Sequence, residues 1–477
     1  MRSKAVGPAL AVLFFVNVLN YYDRQALAAL AEPLRHQFAL SDTQLGGLST
    51  VFIVLYAVAG LPLGRLADTW SRRRLLAIGV AVWAGLTGLG GLAASYALLA
   101  ASRLGVGIGE AVCAPAANSW IGDLAPAARR ARAMAGFMMA VPVGVMLSAA
   151  ITGPLAQAHG WRIALAVAAA PGLLLVPALL WLPEPARTGR ADPLVRAGPP
   201  GPALRRVESG SCPRAKADEA VGRGPGGPPC NLGVAAPLAL LRIPALAWIA
   251  ASGAILNFAL YSFSSFLPAL LTRYHGLAVG QAGIWSGVGS GGAGILGALA
   301  AGAWGDRVIR RRANGRLLLA AAASLGAAPL AAIAIHMPAG SAAATLALLM
   351  PAYGLLQMYY GLVYAAINDI VPASLRGSAM AVYLLVTYLG GAAFGPLLTG
   401  MLSDRLARHA AGATALSEAA KAIGLHQAMY VVPALALVLA AALWGGARAM
   451  REKVPEQAGL GVYWANTGDP KAPGDPT

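Results

Sequence analysis

Long apolar segments, each about as long as a bilayer is thick, recur along this 477-residue chain and leave few ways for it to fold. About 20 mainly apolar residues suffice for a helix to cross a membrane. The apolar residues run continuously and do not alternate with polar ones, which excludes a transmembrane β-barrel. Only 12% of residues are charged, against about 25% in soluble domains. The sequence therefore predicts an all-α integral membrane protein.

Twelve segments are predicted as transmembrane helices. They cover residues 8–31, 45–67, 74–94, 97–122, 131–157, 161–182, 244–272, 281–304, 315–337, 342–370, 377–403 and 426–448. The stretch between the sixth and seventh spans is rich in Pro, Gly and Arg, a composition that cannot bury a core and is typical of a disordered linker. We predict an N-terminal six-helix half, a cytoplasmic disordered linker, a C-terminal six-helix half and a cytoplasmic tail, at residues 1–182, 183–240, 241–448 and 449–477.

The distribution of Lys and Arg predicts the orientation in the membrane. With both termini in the cytoplasm, 28 of these residues fall in cytoplasmic segments and six in outer loops, while Arg24 and Arg103 lie within spans. Cytoplasmic loops of membrane proteins carry such an excess of positive charge. The net charge of +17 therefore reflects topology, and no nucleic-acid partner is predicted. We expect a multi-pass protein of the cell (inner) membrane with cytoplasmic termini.

Several kinds of chemistry lack their motifs in this sequence. No Lys precedes Ser or Thr, so there is no Walker A motif for direct use of ATP, and no G-x-S-x-G nucleophile elbow occurs. The three Cys give no disulfide framework, and the six His lie in predicted loops or at helix ends. A G-x-G-x-x-G match at 289–294 lies inside a predicted span with no preceding strand, and indicates close helix packing. We predict no enzyme activity, no cofactor and no metal site.

Two loop patterns occur once in each half with identical spacing. Gly64-x-x-x-Asp68-x-x-x-Arg72-Arg-Arg follows span 2, and Gly302-x-x-x-Asp306-x-x-x-Arg310-Arg-Arg follows span 8. Asp123-x-x-Pro-x-x-x-Arg-x-x-x-Met follows span 4, and the same pattern begins at Asp369 after span 10. A parallel repeat of six helices, with a binding site between the repeats near the bilayer midplane, is typical of transporters.

The loop from Gly64 to Arg74 resembles the loop 2–3 signature of the major facilitator superfamily, and the repeat extends this resemblance over nearly the whole chain. Asn20-Tyr-Tyr-Asp-Arg24 and Arg103-Leu-Gly-Val-Gly-Ile-Gly-Glu110-Ala resemble the Spinster-like branch of lysolipid and sphingolipid transporters, as do Pro142-Val-Gly144 and Gly160-Trp-Arg162. The anion:cation symporter branch, which includes sugar-acid carriers, has a similar pattern and stays open as the second choice.

Charged residues inside spans 1 and 4 are the candidate coupling site. Arg103 and Glu110 are seven residues apart, hence about 20° apart around the helix and roughly 10 Å along it. An ionised side chain at the bilayer centre costs at least about 2.5 kcal/mol, so these charges need partners or a function. Burial favours the neutral form of a carboxyl whereas a neighbouring Arg favours the charged form, so a rearranging cluster can change its proton occupancy. We predict Asp23 and Glu110 as proton-coupling residues, with Arg24 and Arg103 as charge gates or anchors for an anionic head group; a purely structural salt-bridge cluster is the alternative.

The C-terminal half has no acidic residue in mid-span, and its candidate cavity lining is neutral and partly aromatic. The predicted substrate-binding residues beside the two arginines are Asn20, Tyr21, Asn257, Tyr261, Gln357, Tyr360 and Tyr364. Interhelical packing is the alternative for the tyrosines of span 10. A charged N-terminal half facing an aromatic C-terminal half suits an amphiphilic substrate.

The basic loops are candidates for conformational gating. A carboxylate beside a helix N-terminus gains about 0.3 to 1 kcal/mol from the helix dipole, so Asp68 with Arg72 could latch the cytoplasmic side in one state. The predicted gating residues are Gly64, Asp68, Arg72, Asp306 and Arg310.

The leading hypothesis is a secondary active transporter of an organic anion or amphiphilic small molecule that works by alternating access, is coupled to protons and acts as a monomer. Its expected partners are membrane lipid, a small-molecule substrate and protons. An uncoupled lysolipid or sphingolipid facilitator is the nearest alternative. A non-transporting membrane receptor or lipid enzyme is a different class, and the sequence offers no motif for it.

Overall fold

The computed structural model describes residues 3–124, 133–134, 136–184, 239–371, 376–412 and 416–450. Most of the predicted linker, residues 185–238, and the tail after residue 450 lie outside these ranges. Every regular element in the described residues is a helix, which confirms the all-α class.

The N-terminal half begins with a helix that contains the first charged motif. Its described helices are α1 (Ser3–Ala29), α2 (Ala31–Phe38), α3 (Asp42–Thr69), α4 (Arg72–Gly90), α5 (Tyr96–Glu110), α6 (Cys113–Leu124), α7 (Ala140–His159) and α8 (Trp161–Trp181). Serine side chains cap several of them: the Ser41 hydroxyl accepts from the N–H of Gln44, whose side chain in turn accepts from the N–H of Ser41. Such a capping box satisfies two N–H groups that a helix start would otherwise leave unpaired.

The C-terminal half repeats this arrangement. Its described helices are α9 (Pro244–Arg273), α10 (Val279–Ile309), α11 (Gly315–His336), α12 (Ala342–Ile370), α13 (Arg376–Thr387), α14 (Gly395–Ala411), α15 (Glu418–Ala428) and α16 (Val431–Ala449). A π-helical turn, Tyr388–Ala392, joins α13 to α14. Ten helical stretches of the described residues are long and apolar enough to cross a membrane, and α1 and α4 occupy the places of predicted spans 1 and 3.

Predicted spans 4, 11 and 12 are among those interrupted where continuous helices were expected. Span 4 breaks after Glu110, span 11 at the π turn and span 12 between α15 and α16. A proline lies shortly after each break, at Pro115, Pro396 and Pro433. Proline lacks the N–H that would bond the carbonyl four residues earlier and its ring clashes with that carbonyl, which accounts for the position of the breaks. The apolar composition that predicts a span carries no information about such local breaks.

The outer surface of the helix bundle is apolar. Trp181 is 89% exposed and Leu174 is 75% exposed. Large apolar side chains exposed to this extent are stable in lipid, whereas a water-soluble protein would bury them. The helices therefore present to the bilayer the surface that the composition predicts.

The two halves meet along two close seams, one between α3 and α14 and the other between α7 and α10. At the second seam, a Cβ atom on Gly287 would lie 1.7 Å from the Cβ of Ala149. At the first, a Cβ on Gly400 would lie 2.2 Å from the carbonyl oxygen of Asp42. Small residues let helix backbones approach this closely in a membrane, and the candidate site lies between these seams.

Candidate functional site

The four charged residues predicted in spans 1 and 4 lie together in the N-terminal half as two ion pairs. The Nε of Arg24 donates to Glu110 Oε2 at 2.8 Å, and Arg103 Nη1 lies 3.6 Å from Asp23 Oδ1. Thr87 of α4 was not among the predicted residues, and its hydroxyl donates to Asp23 Oδ2 at 2.7 Å and accepts from Arg103 Nη2 at 3.3 Å. Three helices thereby share one polar network.

Several polar atoms of this network are buried without a hydrogen-bond partner among the described residues. They are Glu110 Oε1, Asp23 Oδ1 and Arg103 Nε, and the Nδ2 of Asn20, three residues before Asp23, is also buried without such a partner. Glu110 has no exposed surface at all, and Asp23 is 4% exposed. Because buried polar groups are nearly always bonded, these atoms mark the network as a candidate functional site.

Aromatic rings surround the guanidinium of Arg24. Its Cζ lies 4.2 Å from the ring centre of Tyr56, 4.9 Å from that of Tyr21 and 5.6 Å from that of Phe52. A cation over aromatic faces gains electrostatic stabilisation within about 6 Å. Tyr21 was a predicted site residue. Phe52 and Tyr56 were not, because aromatic residues in an apolar span resemble packing residues until the neighbouring helix is known.

Three of the predicted C-terminal site residues form one group between α9 and α12. Tyr360 donates its hydroxyl proton to Asn257 Oδ1 at 3.1 Å, and Asn257 donates from Nδ2 to the carbonyl of Gly253 at 3.0 Å. The ring of Tyr364 meets that of Tyr360 edge-on, with 5.7 Å between centroids. This face offers hydroxyls and rings and is uncharged.

The other two predicted residues have different surroundings. Tyr261 on α9 lies edge-on to Tyr388, with their centroids 6.5 Å apart. Gln357 donates from Nε2 to the hydroxyl of Tyr353 one turn away on the same helix, at 2.8 Å. Tyr388 is a further residue that the sequence analysis missed, and it connects Tyr261 to Tyr56 of the other half, at 6.0 Å between ring centroids.

At the end of the N-terminal half that the charge distribution predicts to be cytoplasmic, Arg72 is buried in a polar network. Its Nη1 donates to Asp123 Oδ2 at 2.5 Å, and its backbone N–H donates to Glu184 Oε1 at 2.7 Å. The other oxygen of Glu184 accepts from the hydroxyl of Ser71. Burial alone would raise the pKa of Glu184, but these hydrogen bonds and the charge of Arg72 hold it below its usual value. The side chain of Asp68 lies outside the described part of the structure.

The C-terminal repeat forms the equivalent pair with a different arginine. Arg316 near the start of α11 pairs with Asp369 at the end of α12, as Arg72 at the start of α4 pairs with Asp123. Arg310, which the sequence repeat aligns with Arg72, is exposed. The side chain of Asp306 is not among those described. Gly64 is partly buried, and a Cβ there would touch Pro115 of α6 at 3.9 Å.

At the opposite end, ion pairs connect the two halves; those of Arg273 are buried, whereas Glu418 is exposed. Arg273 of α9 donates from Nε to Glu32 Oε1 at 2.5 Å and from Nη1 to Asp42 Oδ2 at 2.9 Å. Arg35 of α2 donates from Nη2 to Glu418 Oε2 at 2.7 Å. We call these five residues, together with Asp404, the outer clasp, because this end faces outward in the predicted orientation.

Asp404 completes the clasp by capping a helix of the other half. Its carboxylate accepts from the backbone N–H groups of Asp42 and Thr43 at 3.0 and 2.9 Å, at the start of α3. A carboxylate at a helix N-terminus satisfies free N–H groups and interacts favourably with the helix dipole. Deeper in the interface, Gln25 donates to the hydroxyl of Ser264 of α9 at 2.7 Å. The halves are therefore held together on the outer side of the charged network.

The sequence model of the Major Facilitator Superfamily matches residues 13–396. The chain belongs to the major facilitator superfamily. It is accordingly a multi-pass integral membrane transporter and not an enzyme, as its sequence predicts.

Relatives support the narrower Spinster-like resemblance. The chain is 30% identical over 451 residues to an MFS-type efflux pump of Mycolicibacterium smegmatis, covering 94% of each chain. It is 30% identical over 424 residues to protein spinster homolog 1 of Mus musculus, covering 83% of this chain and 73% of that one. A solved structure of a bacterial homolog of the human lysosomal transporter Spinster, in an inward-facing and unoccupied conformation, is also similar. It superposes with a TM-score of 0.77 at 25% identity, and the match covers 94% of this chain and 98% of that chain.

Proposed function

We propose that the protein is a proton-coupled secondary transporter that moves an organic anion or an amphiphilic small molecule by alternating access. It would act as a monomer in the inner membrane with both termini in the cytoplasm, since that orientation places most of its positive charge inside. An uncoupled facilitator is the competing function.

The observation that carries this proposal is the pair of buried carboxyl groups, each beside an arginine and each with an oxygen that accepts no hydrogen bond from a described residue. If Arg24 leaves Glu110, the carboxylate keeps a full charge in a site without water exposure, and protonation removes that cost. Proton binding at Glu110 would then be linked to the position of Arg24. One proton entering at 100 mV releases about 2.3 kcal/mol, enough for roughly 50-fold accumulation or expulsion of a neutral substrate.

The substrate class follows from the two faces of the site. Arg24 and Arg103 supply positive charge from the N-terminal half, where an anionic head group would bind. The facing residues Tyr261, Tyr360 and Asn257 supply aromatic surface and hydroxyl or amide groups. An amphiphile with an anionic end and an apolar body matches both faces, and the named relatives include an efflux pump and a Spinster protein.

The test is flux into proteoliposomes under an imposed pH gradient, with lysolipids, sphingoid phosphates and sugar acids as probes. In Glu110→Gln and Asp23→Asn the amide cannot cycle between charged and neutral forms, so pH-driven accumulation should be lost while substrate exchange survives. Arg103→Ala leaves a buried carboxylate without its countercharge and should instead weaken binding of anionic substrates.

Glu219→Gln is the matched control, because it replaces another carboxylate with an amide in the predicted linker, outside the two six-helix halves. It should keep pH-driven accumulation. Full accumulation in both Glu110→Gln and Asp23→Asn would refute coupling at this network and return the four charges to a structural role. Exchange in the wild type without any response to a pH gradient would favour the uncoupled facilitator.

A further inference from the structure

Three aromatic residues form a layer between Arg24 and the C-terminal half. Tyr56 lies against the guanidinium at 4.2 Å, Phe52 stacks on Tyr56 with 6.1 Å between centroids, and Tyr388 contacts Tyr56 from the other half at 6.0 Å. We call Phe52, Tyr56 and Tyr388 the aromatic cover. The side chain of Arg24 is only 11% exposed beneath it.

Tyr388 is fixed to the C-terminal half by the π turn. The N–H of Ala393 donates to the carbonyl of Tyr388 at 2.9 Å, which closes the wide turn. Gly391 in the same turn lies so close to α9 that a Cβ atom would come within 2.1 Å of the carbonyl oxygen of Ala254. Single π turns inside α-helices occur frequently at functional sites. The ring of Tyr388 therefore moves with α9 and not with α3.

Tyr56 belongs to the other half and lies on α3. A second residue of α3, Thr50, also contacts the π-turn region. Thr50 of α3 donates its hydroxyl proton to the carbonyl of Ala393 at 2.5 Å, six residues before Tyr56. Where α3 meets the π turn, a hydrogen bond and a ring contact thus both cross between the halves. If the seam opens, both contacts are lost together.

We propose that the aromatic cover links the relative position of the two halves to the Arg24–Glu110 ion pair. With the outer side closed, Tyr388 holds Tyr56 against Arg24. When α3 separates from the π turn, Tyr56 loses that support and Arg24 becomes free to exchange Glu110 for a substrate anion. Tyr56 and Tyr388 are positioning residues in this scheme, and the role of the ion pair itself rests on the proposed function.

The first measurement is conformational and needs no proton coupling. Spin labels on Gln37→Cys and Ala410→Cys, both exposed at the outer ends of α2 and α14, would report the outer separation in a background without Cys113, Cys212 and Cys230. Tyr388→Leu removes an aromatic pair across the seam, so the outward-open population should rise about 2- to 10-fold. Tyr388→Phe keeps the ring and should match the wild type.

The second measurement is the ratio of pH-driven accumulation to substrate exchange in proteoliposomes. Tyr388→Leu and Tyr56→Leu should lower this ratio about 2- to 10-fold, since the ion pair no longer follows the conformation. Phe263→Leu is the matched control, because it removes a ring that stacks on Tyr353 at 5.3 Å within the C-terminal half. It should change neither the label distance nor the ratio.

The outcomes separate the cover from the proposed function. Unchanged label distances in Tyr388→Leu would overturn the cover, as would an equal shift in Phe263→Leu, which would make it a general packing effect. If the wild type shows no pH-driven accumulation, the proposed function fails. The label distances would still show whether the aromatic cover affects the separation of the two halves.

Discussion

Replacing Arg273 with Gln should open the outer side of the transporter. The guanidinium of Arg273 is bonded to two carboxylates of the other half, and Glu32, Asp42 and Arg273 each have side chains no more than 6% exposed. Removing one member of a buried ion pair typically costs about 3 to 5 kcal/mol. This cost falls on the closed form, because opening the halves lets water solvate both carboxylates.

The lower end of that range is the appropriate one, since the clasp is predicted to lie at the outer surface of the membrane. About 3 kcal/mol corresponds to a roughly 100-fold increase in the ratio of outward-open to closed molecules. The thermal stability of each half should change much less, because the broken bonds cross between halves.

Labelling of a buried cysteine would measure this shift. Ser265 lines a small apolar cavity between α1, α3 and α9, beneath the clasp. The test uses a background that lacks the native cysteines and carries Ser265→Cys. With Arg273 intact, this cysteine should react only slowly with a membrane-impermeant maleimide added from the outside. With Arg273→Gln the rate should rise in proportion to the open population, up to about 100-fold.

The matched control is Arg162→Gln, another arginine predicted at the outer side, whose Nη2 donates to the carbonyl of Ala93 within the N-terminal half. It should leave the labelling rate unchanged. An unchanged rate in Arg273→Gln would refute the argument that the clasp holds the halves together. Equal increases in both variants would mean that any lost outer charge loosens the bundle.

Three further outcomes are expected. Wild type should be more thermally stable than Glu184→Gln above about pH 4.5. This difference should disappear as pH falls through the lowered pKa of Glu184, because the protonated carboxyl no longer accepts from Ser71 and Arg72 as a carboxylate does. Melting curves between pH 3 and pH 7 would measure the difference, and a difference that stays constant with pH would contradict the prediction. Asp68→Asn should slow turnover and bias access with little effect on insertion, and unchanged turnover and cysteine accessibility would leave the motif as a topology signal. Shortening the linker within residues 190–228 should preserve transport, because that composition cannot bury a core; abolished transport after a modest deletion would indicate a regulatory segment.

The sequence predicted the helical class and the clustering of the charges because both depend on local patterns. The composition of a segment is enough to predict a transmembrane span, and two charges seven residues apart on a helix share one face whatever surrounds them. The pairing within the cluster was not predictable in this way. Glu110 faces Arg24 of another helix, although Arg103 of its own helix was equally available from spacing alone.

The outer clasp and the aromatic cover were missed for a related reason. Arg35 and Arg273 are two of the six basic residues that the predicted topology places in outer loops, and Glu418 and Glu32, their partners in the other half, lie far away in the chain. Tyr56 and Tyr388 resemble packing residues until α3 is placed beside the π turn. Pro115 and Pro396, however, were visible signals of helix breaks, and each break lies beside a residue of the site, Glu110 and Tyr388 respectively.

Helix α3 contains residues of both the outer clasp and the aromatic cover, so a movement of this one helix would change both. Asp42 in the clasp and Tyr56 in the cover lie on one continuous helix, 14 residues and therefore roughly 21 Å apart. Both contact the C-terminal half, through Arg273 and Tyr388. A rigid rotation of α3 away from that half breaks the two contacts in the same step. Because the contacts are distant and share no partner, their free energies should add in this equilibrium, so the clasp supplies most of the closure while the cover transmits it to Arg24.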